Sequence, residues 1–123
     1  MKRVSLEKLS VPELVAQFTA ACLAQFDAER KSDINEQNKH IRYWMAISDE
    51  LKSLAGDQRS SVLKLYDHPN LQVRLNAARL TLAIAPTTAR QVIQAIADSK
   101  KYPQAGDAGM CLPAIELGIF KPT

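Results

Sequence analysis

Apolar residues recur along the chain at spacings of three and four, the periodicity of helices that bury one face. The first apolar stripe follows Ser10, Pro12 and Glu13, which suit the N-cap, the first turn and the capping-box position of a helix. Residues 1–9 precede this start and are expected to form a loosely packed lead-in. The pattern therefore predicts a first helix that extends to about Ala28.

A second helix is predicted from a repeat of the capping pattern, with Asp33 as N-cap and Glu36 three residues later. Gly56 supplies a natural C-terminal stop, so this helix should reach about Leu54. Trp44 lies at the border of the apolar stripe, where a core position is favoured over stacking on a ligand. The stripe consists of Ile34, Ile41, Met45, Ile47, Leu51 and Leu54.

The middle of the chain predicts a helix hairpin. Asp57 suits the N-cap of a short third helix over residues 58–66, and Pro69 cannot extend that helix. Asn70 can then cap a fourth helix over residues 71–85 through its side chain. The apolar positions of the third helix are Val62, Leu63 and Tyr66, and those of the fourth are Val73, Ala77, Leu80 and Ile84.

Two further helices complete the pattern. Pro86 should end the fourth helix, and Thr87 or Thr88 should cap the fifth. The sixth is predicted from residue 102 to residue 118, with a bend or a split at Pro113. Gly106 and Gly109, three residues apart, suggest a neighbour packed against the backbone. The apolar positions are Val92, Ile93 and Ile96 in the fifth helix, and Met110, Leu112, Ile115 and Leu117 in the sixth.

The fold predicted from these elements is all-α, because no segment shows the alternation of a half-buried strand. Pairing the helices in order gives about three antiparallel hairpins. The second helix is much longer than the third, so an irregular right-handed α-α superhelix is expected rather than a uniform solenoid. A length of 123 residues suits a single domain over residues 1–123.

The composition supports a globular chain and reveals an uneven charge. Hydrophobic residues make up 46% and charged residues 24%, which argues against disorder. Residues 1–58 hold eight basic and nine acidic residues, net −1, whereas residues 59–123 hold eight and four, net +4. Such an excess suits an acidic protein or nucleic acid, although a solvated mixed surface is the more ordinary reading.

The cysteines indicate buried thiols in a reducing cytoplasm rather than a metal site. Cys22 and Cys111 lie among apolar neighbours, and no C-x-x-C or nearby histidine pair accompanies them. Polar residues such as Glu13 and Gln17 interrupt the region before Cys22, so it is not a lipoprotein signal. No stretch approaches 18 uninterrupted apolar residues, so no membrane span is expected.

The segment over residues 67–80 reads D-H-P-N-L-Q-V-R-L-N-A-A-R-L, which is close to a D-x-P-x-x-V-R-x-x-A-A-x-x-L pattern. This string resembles the junction between the two helices of a HEAT repeat. Together with residues 57–59 and 102–109, it is similar to a small bacterial family of HEAT-like domains without an established activity. The resemblance implies a binding module inside the cell, by analogy with proposed regulatory or immunity proteins.

Asp67 and Arg74 flank the central turn and form the candidate structural pair. In HEAT-like proteins the matching Asp and Arg stabilise the turn, and the resemblance implies that role here. The alternative is that the Arg74 guanidinium binds an acidic partner. His40 and His68 lie on different elements without a second ligand at metal spacing, so no metal, cofactor or catalytic site is expected.

The function predicted from these patterns is a non-enzymatic protein-interaction module. Helical repeats bind through the second helix of each pair, so partner contacts are expected on the second and fourth helices. The candidate contact residues are Lys39, His40, Arg42, Tyr43, Gln72, Asn76 and Arg79.

The alternative is a nucleic-acid-binding helical protein that uses a basic concave face. The oligomeric state and the identity of the partner stay open. The residues that would build the basic face are Arg59, Lys64, Arg74, Arg79, Arg90, Lys100 and Lys101.

Overall fold

The structure is a computed structural model that describes residues 5–123. Throughout this range the protein is all-helical and has no strand, which confirms the predicted fold class. Residues 1–4 of the predicted lead-in lie outside the described residues. The five α-helices are α1 (Val11–Arg30), α2 (Ile34–Ser53), α3 (Leu71–Leu80), α4 (Pro86–Asp98) and α5 (Gln104–Glu116), and two 3₁₀ helices cover Leu6–Lys8 and Gln58–Asp67.

The chain divides into two compact units, one that ends at Ser61 and one over Val62–Thr123. The expectation of a single domain stays a prediction. In the first unit α1 packs against α2, which is the first of the predicted pairings. In the second unit α4 packs against α5, and α3 packs against both.

The predicted capping signals start both helices of the first unit. Ser10 Oγ accepts a hydrogen bond from the Glu13 amide, and the Glu13 carboxylate accepts one from the Ser10 amide, which completes a capping box. Asp33 Oδ1 accepts from the Glu36 amide at 3.1 Å. Sequence alone therefore located both helix starts.

Trp44 is a core residue, as its position at the border of the apolar stripe predicts. Its ring is 7% exposed and meets the ring of Phe18 edge-on, with centroids 5.8 Å apart. Nε1 of Trp44 donates to Oε1 of Gln25 at 3.0 Å. A fully buried Ile47 and Leu51 continue this face of α2.

Two residues of the predicted α2 stripe are instead exposed: Ile34 at 67% and Met45 at 52%. Ile34 is the first residue of the helix. Met45 precedes the buried Ile47 by two positions, which places it about 200° away around the helix axis. Counting apolar residues along α2 therefore overstated its buried face.

The second unit is built around a core of aliphatic and small side chains. Tyr66, Leu71 and Val92 pack against it as half-buried residues. The helices thus expose polar surface and share one apolar centre. The buried members are Leu75, Ala78, Leu82, Ala89, Ile93, Ile96, Ala108 and Cys111.

The third predicted helix is a 3₁₀ helix over Gln58–Asp67, not an α-helix. Asp57 precedes it with a φ of 49°, and its Oδ1 accepts from the Arg59 amide at 3.3 Å. The same carboxylate also binds the Arg59 guanidinium at 2.7 and 2.9 Å. Asp57 therefore caps this segment as predicted and fixes Arg59 as well.

The fourth predicted helix ends five residues earlier than expected, at Leu80. The hydroxyl of Thr81 bonds back to the carbonyls of Ala77 and Ala78, and a turn follows. Pro86 does not end a helix but begins α4, where a missing amide hydrogen costs nothing. The N-cap of α4 is Ala85, so neither Thr87 nor Thr88 caps it as predicted.

α5 runs through Pro113 as one helix and not as two pieces. Gly109 has no neighbour within 4 Å of the position where a Cβ would stand, so the predicted close approach at that glycine is wrong. At Gly106 the nearest atoms belong to the Tyr102 ring, 3.6 Å away. Met110 at 68% and Leu117 at 75% are exposed, not core residues.

Candidate interaction surface

The outward side of α2 forms a mixed apolar and charged strip. Five exposed residues spaced by four, four, three and four positions fall within an arc of about 80° around the helix axis. Around the axis the apolar Ile34 and Met45 lie at one edge of this arc, and the charged Arg42 and Asp49 lie at the other. We call this surface the α2 outer face; its residues are Ile34, Asn38, Arg42, Met45 and Asp49.

Arg42 is the one predicted contact residue that lies on the α2 outer face. No hydrogen bond or ion pair engages its guanidinium among residues 5–123. Arginine has five donors in a planar fork, and it is among the side chains most enriched where proteins meet. Because no residue of 5–123 engages these donors, the α2 outer face can bind a carboxylate through Arg42.

The other three predicted residues of α2 lie off this face, and His40 is on the opposite side of the helix, near the buried Ile47 and Leu51. Nζ of Lys39 and Nε2 of His40 approach the Glu36 carboxylate at 3.9 and 3.3 Å. The Tyr43 hydroxyl donates to Oε1 of Gln17 on α1 at 3.3 Å. All three side chains are held by local contacts, and of the three only Lys39 lies near the edge of the α2 outer face.

Gln72 and Asn76 are not exposed, so their predicted availability to a partner is wrong. Gln72 is 2% exposed and Asn76 is fully buried. Nε2 of Gln72 donates to Oδ1 of Asn76 at 2.9 Å, and Nε2 of Gln104 donates to Oε1 of Gln72 at 3.1 Å. The two residues belong to a buried amide network that joins α3 to α5.

Arg79 is exposed on α3, as predicted, and it acts electrostatically on two groups of α5. Burial raises the pKa of Asp107 and of the Cys111 thiol, and the positive charge of Arg79 opposes both shifts. The thiol is therefore held in its protonated, unreactive form. This agrees with the sequence-based view of Cys111 as a buried structural cysteine.

The predicted Asp67–Arg74 pair does not form. Nε of Arg74 instead donates to the backbone carbonyl of His68. Nδ1 of His68 accepts from the Asn70 amide at 3.0 Å, and Oδ1 of Asn70 accepts from the amides of Gln72 and Val73. Arg74 thus stabilises the turn through the main chain, while Asp67 stays exposed at its edge.

A pocket of about 210 Å³ in the second unit was not foreseen from the sequence. The first turn of α3 and the last turns of α4 form its walls, with the end of the 3₁₀ helix between them. Of its lining residues, the sequence singles out Arg74 and Lys101 as candidates for a basic face, because the remaining ones look like ordinary core or turn positions. The lining residues are Tyr66, Pro69, Leu71, Arg74, Val92, Ala95, Ile96, Ser99 and Lys101.

Within residues 5–123 no three His, Cys, Asp or Glu side chains come together as a metal-binding group. Over the same range no helix has both the length and the apolar character needed to cross a membrane. The chemistry that these surfaces offer is therefore hydrogen bonding, charge and apolar contact.

Comparisons with known proteins place the chain in a family. No curated protein matches it. The fold is similar to the crystal structure of the protein RPA1889 from Rhodopseudomonas palustris CGA009, with a TM-score of 0.94 and 45% identity over 98% of this chain and 100% of that one. Residues 12–116 match the family described as "Domain of unknown function (DUF2019)". The chain therefore belongs to the DUF2019 family.

Proposed function

We propose that the protein is a non-enzymatic protein-interaction module whose contact surface is the α2 outer face. The observation that carries this proposal is the guanidinium of Arg42, which no residue of 5–123 pairs with and which lies along the helix between two exposed apolar side chains, Ile34 and Met45. Arginine and methionine are enriched at protein interfaces, and arginine is a frequent hot-spot residue. Their combination on one helix face suits a protein better than a small polar ligand.

The partner that fits this face presents a carboxylate beside an apolar patch. Arg42 would bind the carboxylate through two parallel hydrogen bonds, and Ile34 and Met45 would be covered at the same time. Lys39 lies on the flank and adds positive charge, since its ion pair with Glu36 is long at 3.9 Å and exposed. An acidic segment of another protein is the expected occupant.

The arrangement of the helices, the cellular compartment and the role that we propose are supported by the sequence. The string over residues 67–80 supports a HEAT-like arrangement of the hairpins, and the two reduced cysteines suit the cytoplasm of a bacterium. A regulatory or immunity-type role is the analogy that fits such a module. The non-enzymatic character rests on the lack of nucleophile, base and phosphate-loop motifs in the sequence.

Affinity capture with a reversed charge tests the proposal. The intact protein and its Arg42→Glu variant are used as parallel baits, with Arg90→Glu as the matched control because Arg90 is an exposed arginine on α4. We expect one protein to be retained by the intact chain and by Arg90→Glu, and to be lost by Arg42→Glu. Retention by all three baits would place the contact away from α2.

One observation favours a second candidate, nucleic-acid binding by the basic half of the chain. The ion pairs among residues 5–123 all lie before Val62, so the lysines and arginines of the second unit are unpaired. Arg59, in contrast, is 7% exposed and bound to Asp57, which removes it from the proposed basic face. Titration of labelled DNA and RNA at two salt concentrations tests this candidate, because phosphate binding must weaken steeply with salt.

A further inference from the structure

The pocket in the second unit is lined by both aliphatic and cationic side chains. Leu71, Val92 and Ile96 supply aliphatic surface, and Ile96 is 2% exposed. Arg74 and Lys101 supply the charge, and no aspartate or glutamate lines the pocket. A ligand that matches both parts must carry a negative group and an apolar body.

Arg74 and Lys101 both have hydrogen-bond donors that no described residue engages. Arg74 uses Nε for the carbonyl of His68, and nothing in the described chain engages its two terminal nitrogens. Nζ of Lys101 has no ion pair or hydrogen bond over the same residues, while its backbone amide donates to Ser99 Oγ at 3.2 Å. The contact to His68 orients the Arg74 fork, and the one to Ser99 holds the backbone of Lys101 at the pocket.

The surrounding backbone adds opposing partial charges. Pro69, Leu71 and Arg74 lie at the N-terminal end of α3, which is the positive end of its dipole. The C-terminal end of α4 is negative, but Ser99 Oγ donates to the Ile96 carbonyl at 2.6 Å and satisfies one of its free acceptors. With two full positive charges added, the balance favours an anion.

The pocket size limits the ligand. A volume of about 210 Å³ exceeds the roughly 150 Å³ that suffices for benzene in an apolar protein cavity. It is smaller than the roughly 300–1,000 Å³ of pockets for drug-sized molecules. The interior therefore has room for one ring or a short branched chain together with a carboxylate.

We propose that this pocket binds a small organic carboxylate whose apolar body is about the size of a benzene ring. The carboxylate is held by the Arg74 guanidinium and the Lys101 ammonium, and the body rests against Leu71, Val92 and Ile96. This site is separate from the α2 outer face and does not depend on the function proposed for that face.

Nuclear magnetic resonance of the full-length ¹⁵N-labelled protein tests this proposal, with sodium benzoate as the probe. Benzamide is the neutral control of the same shape, and inorganic phosphate is the anionic control without an apolar body. We expect benzoate to cause saturable shifts at the amides that line the pocket, and the two controls to bind at least about tenfold more weakly because each lacks one of the two matched interactions.

Matched variants identify the cation involved. Lys101→Met should weaken benzoate about five- to tenfold, whereas Lys100→Met, its exposed neighbour outside the lining, should leave the affinity unchanged. Because both variants keep Arg74, neither disturbs the turn that it stabilises. No saturable benzoate shifts, equal binding of benzamide or phosphate, or equal effects of the two lysine variants would each overturn the proposal.

Discussion

At the scale of single residues, buried amides determine which polar side chains are available for binding. Gln72 and Asn76 are 2% and 0% exposed, and Gln104 reaches Gln72 from α5. The side-chain amides hydrogen-bond to one another and so replace the hydrogen bonds to water that burial removes. The network therefore stabilises the contact between α3 and α5 and has no surface role.

Replacing Gln72 by Met tests that structural role. The variant keeps the side-chain length but leaves the Gln104 donor and the Asn76 acceptor without this partner. We expect the free energy of unfolding to fall by about 1–3 kcal/mol, the cost of buried unpaired groups. Urea denaturation measures the loss, with the exposed Gln94→Met as control, expected within about 0.5 kcal/mol of the parent. Equal stabilities for both variants would contradict the assignment.

Asp57 and Arg59 form an ion pair that should make the stability of the protein depend on pH in the acid range. The hydrogen bond from Arg59 lowers the pKa of Asp57 below its ordinary value of 3.8. A lowered pKa means that the pair contributes fully above the unfolded-state pKa and that its contribution is lost as the pH falls through the lower folded-state pKa. The stabilising effect therefore disappears only in strong acid.

Asp57→Asn should remove this pH dependence without disturbing the backbone, since asparagine tolerates the φ of 49°. We expect the variant to melt below the parent at neutral pH and the difference to shrink as the pH falls through the folded-state pKa of Asp57. Thermal melts by circular dichroism over an acid series measure the difference. Asp49→Asn, an exposed control, should show no such convergence; a constant gap for Asp57→Asn would refute the linkage.

At the scale of elements, the central turn is held by main-chain contacts. Arg74 donates to the His68 carbonyl, and Asn70 caps α3. Sequence spacing had suggested a contact between the Arg74 and Asp67 side chains. A main-chain contact and a side-chain pair predict different losses of stability when Arg74 and Asp67 are each replaced by alanine.

Arg74→Ala should lower the free energy of unfolding by about 1–2 kcal/mol, because a hydrogen bond with a charged donor is lost. Asp67→Ala should change it by less than about 0.5 kcal/mol, because the carboxylate is exposed and unpaired with Arg74. Chemical denaturation of both variants measures the two losses. Similar losses in the free energy of unfolding for the two single variants, together with a non-additive loss in the double variant, would instead support a side-chain pair between Asp67 and Arg74.

Local signals predicted much of the fold, whereas contacts distant in sequence were missed. Ser10, Asp33 and Asn70 cap their helices as their sequence context indicated. The end of α3 was missed because the apolar pattern continues to Ile84, while Thr81 bonds back to the helix and also to the Tyr66 hydroxyl 15 residues away.

The same limit applies to the candidate sites. On the predicted helix wheel Arg42 and Gln72 look alike, as polar residues away from the stripe. Only the packing of Gln104, 32 residues after Gln72, distinguishes the buried amide from the exposed guanidinium. The pocket at Arg74 and Lys101 likewise depends on residues from three separate elements.

At the level of the whole molecule, we propose two independent binding features, one in each compact unit. The α2 outer face lies in the first unit, and the cationic pocket lies in the second. The protein RPA1889, 45% identical over 98% of this chain, has a similar fold, with a TM-score of 0.94. For this member of the DUF2019 family we propose binding rather than chemistry on a substrate.

Photo-cross-linking in living bacterial cells tests whether another protein binds the α2 outer face. A benzoylphenylalanine at position 45, where the native Met45 is 52% exposed, reports on the α2 outer face. The same residue at position 90 on α4 is the control. We expect a discrete protein adduct from position 45 that is absent from position 90 and is abolished by Arg42→Glu. Adducts of equal yield from both positions, or no protein adduct from position 45, would contradict it.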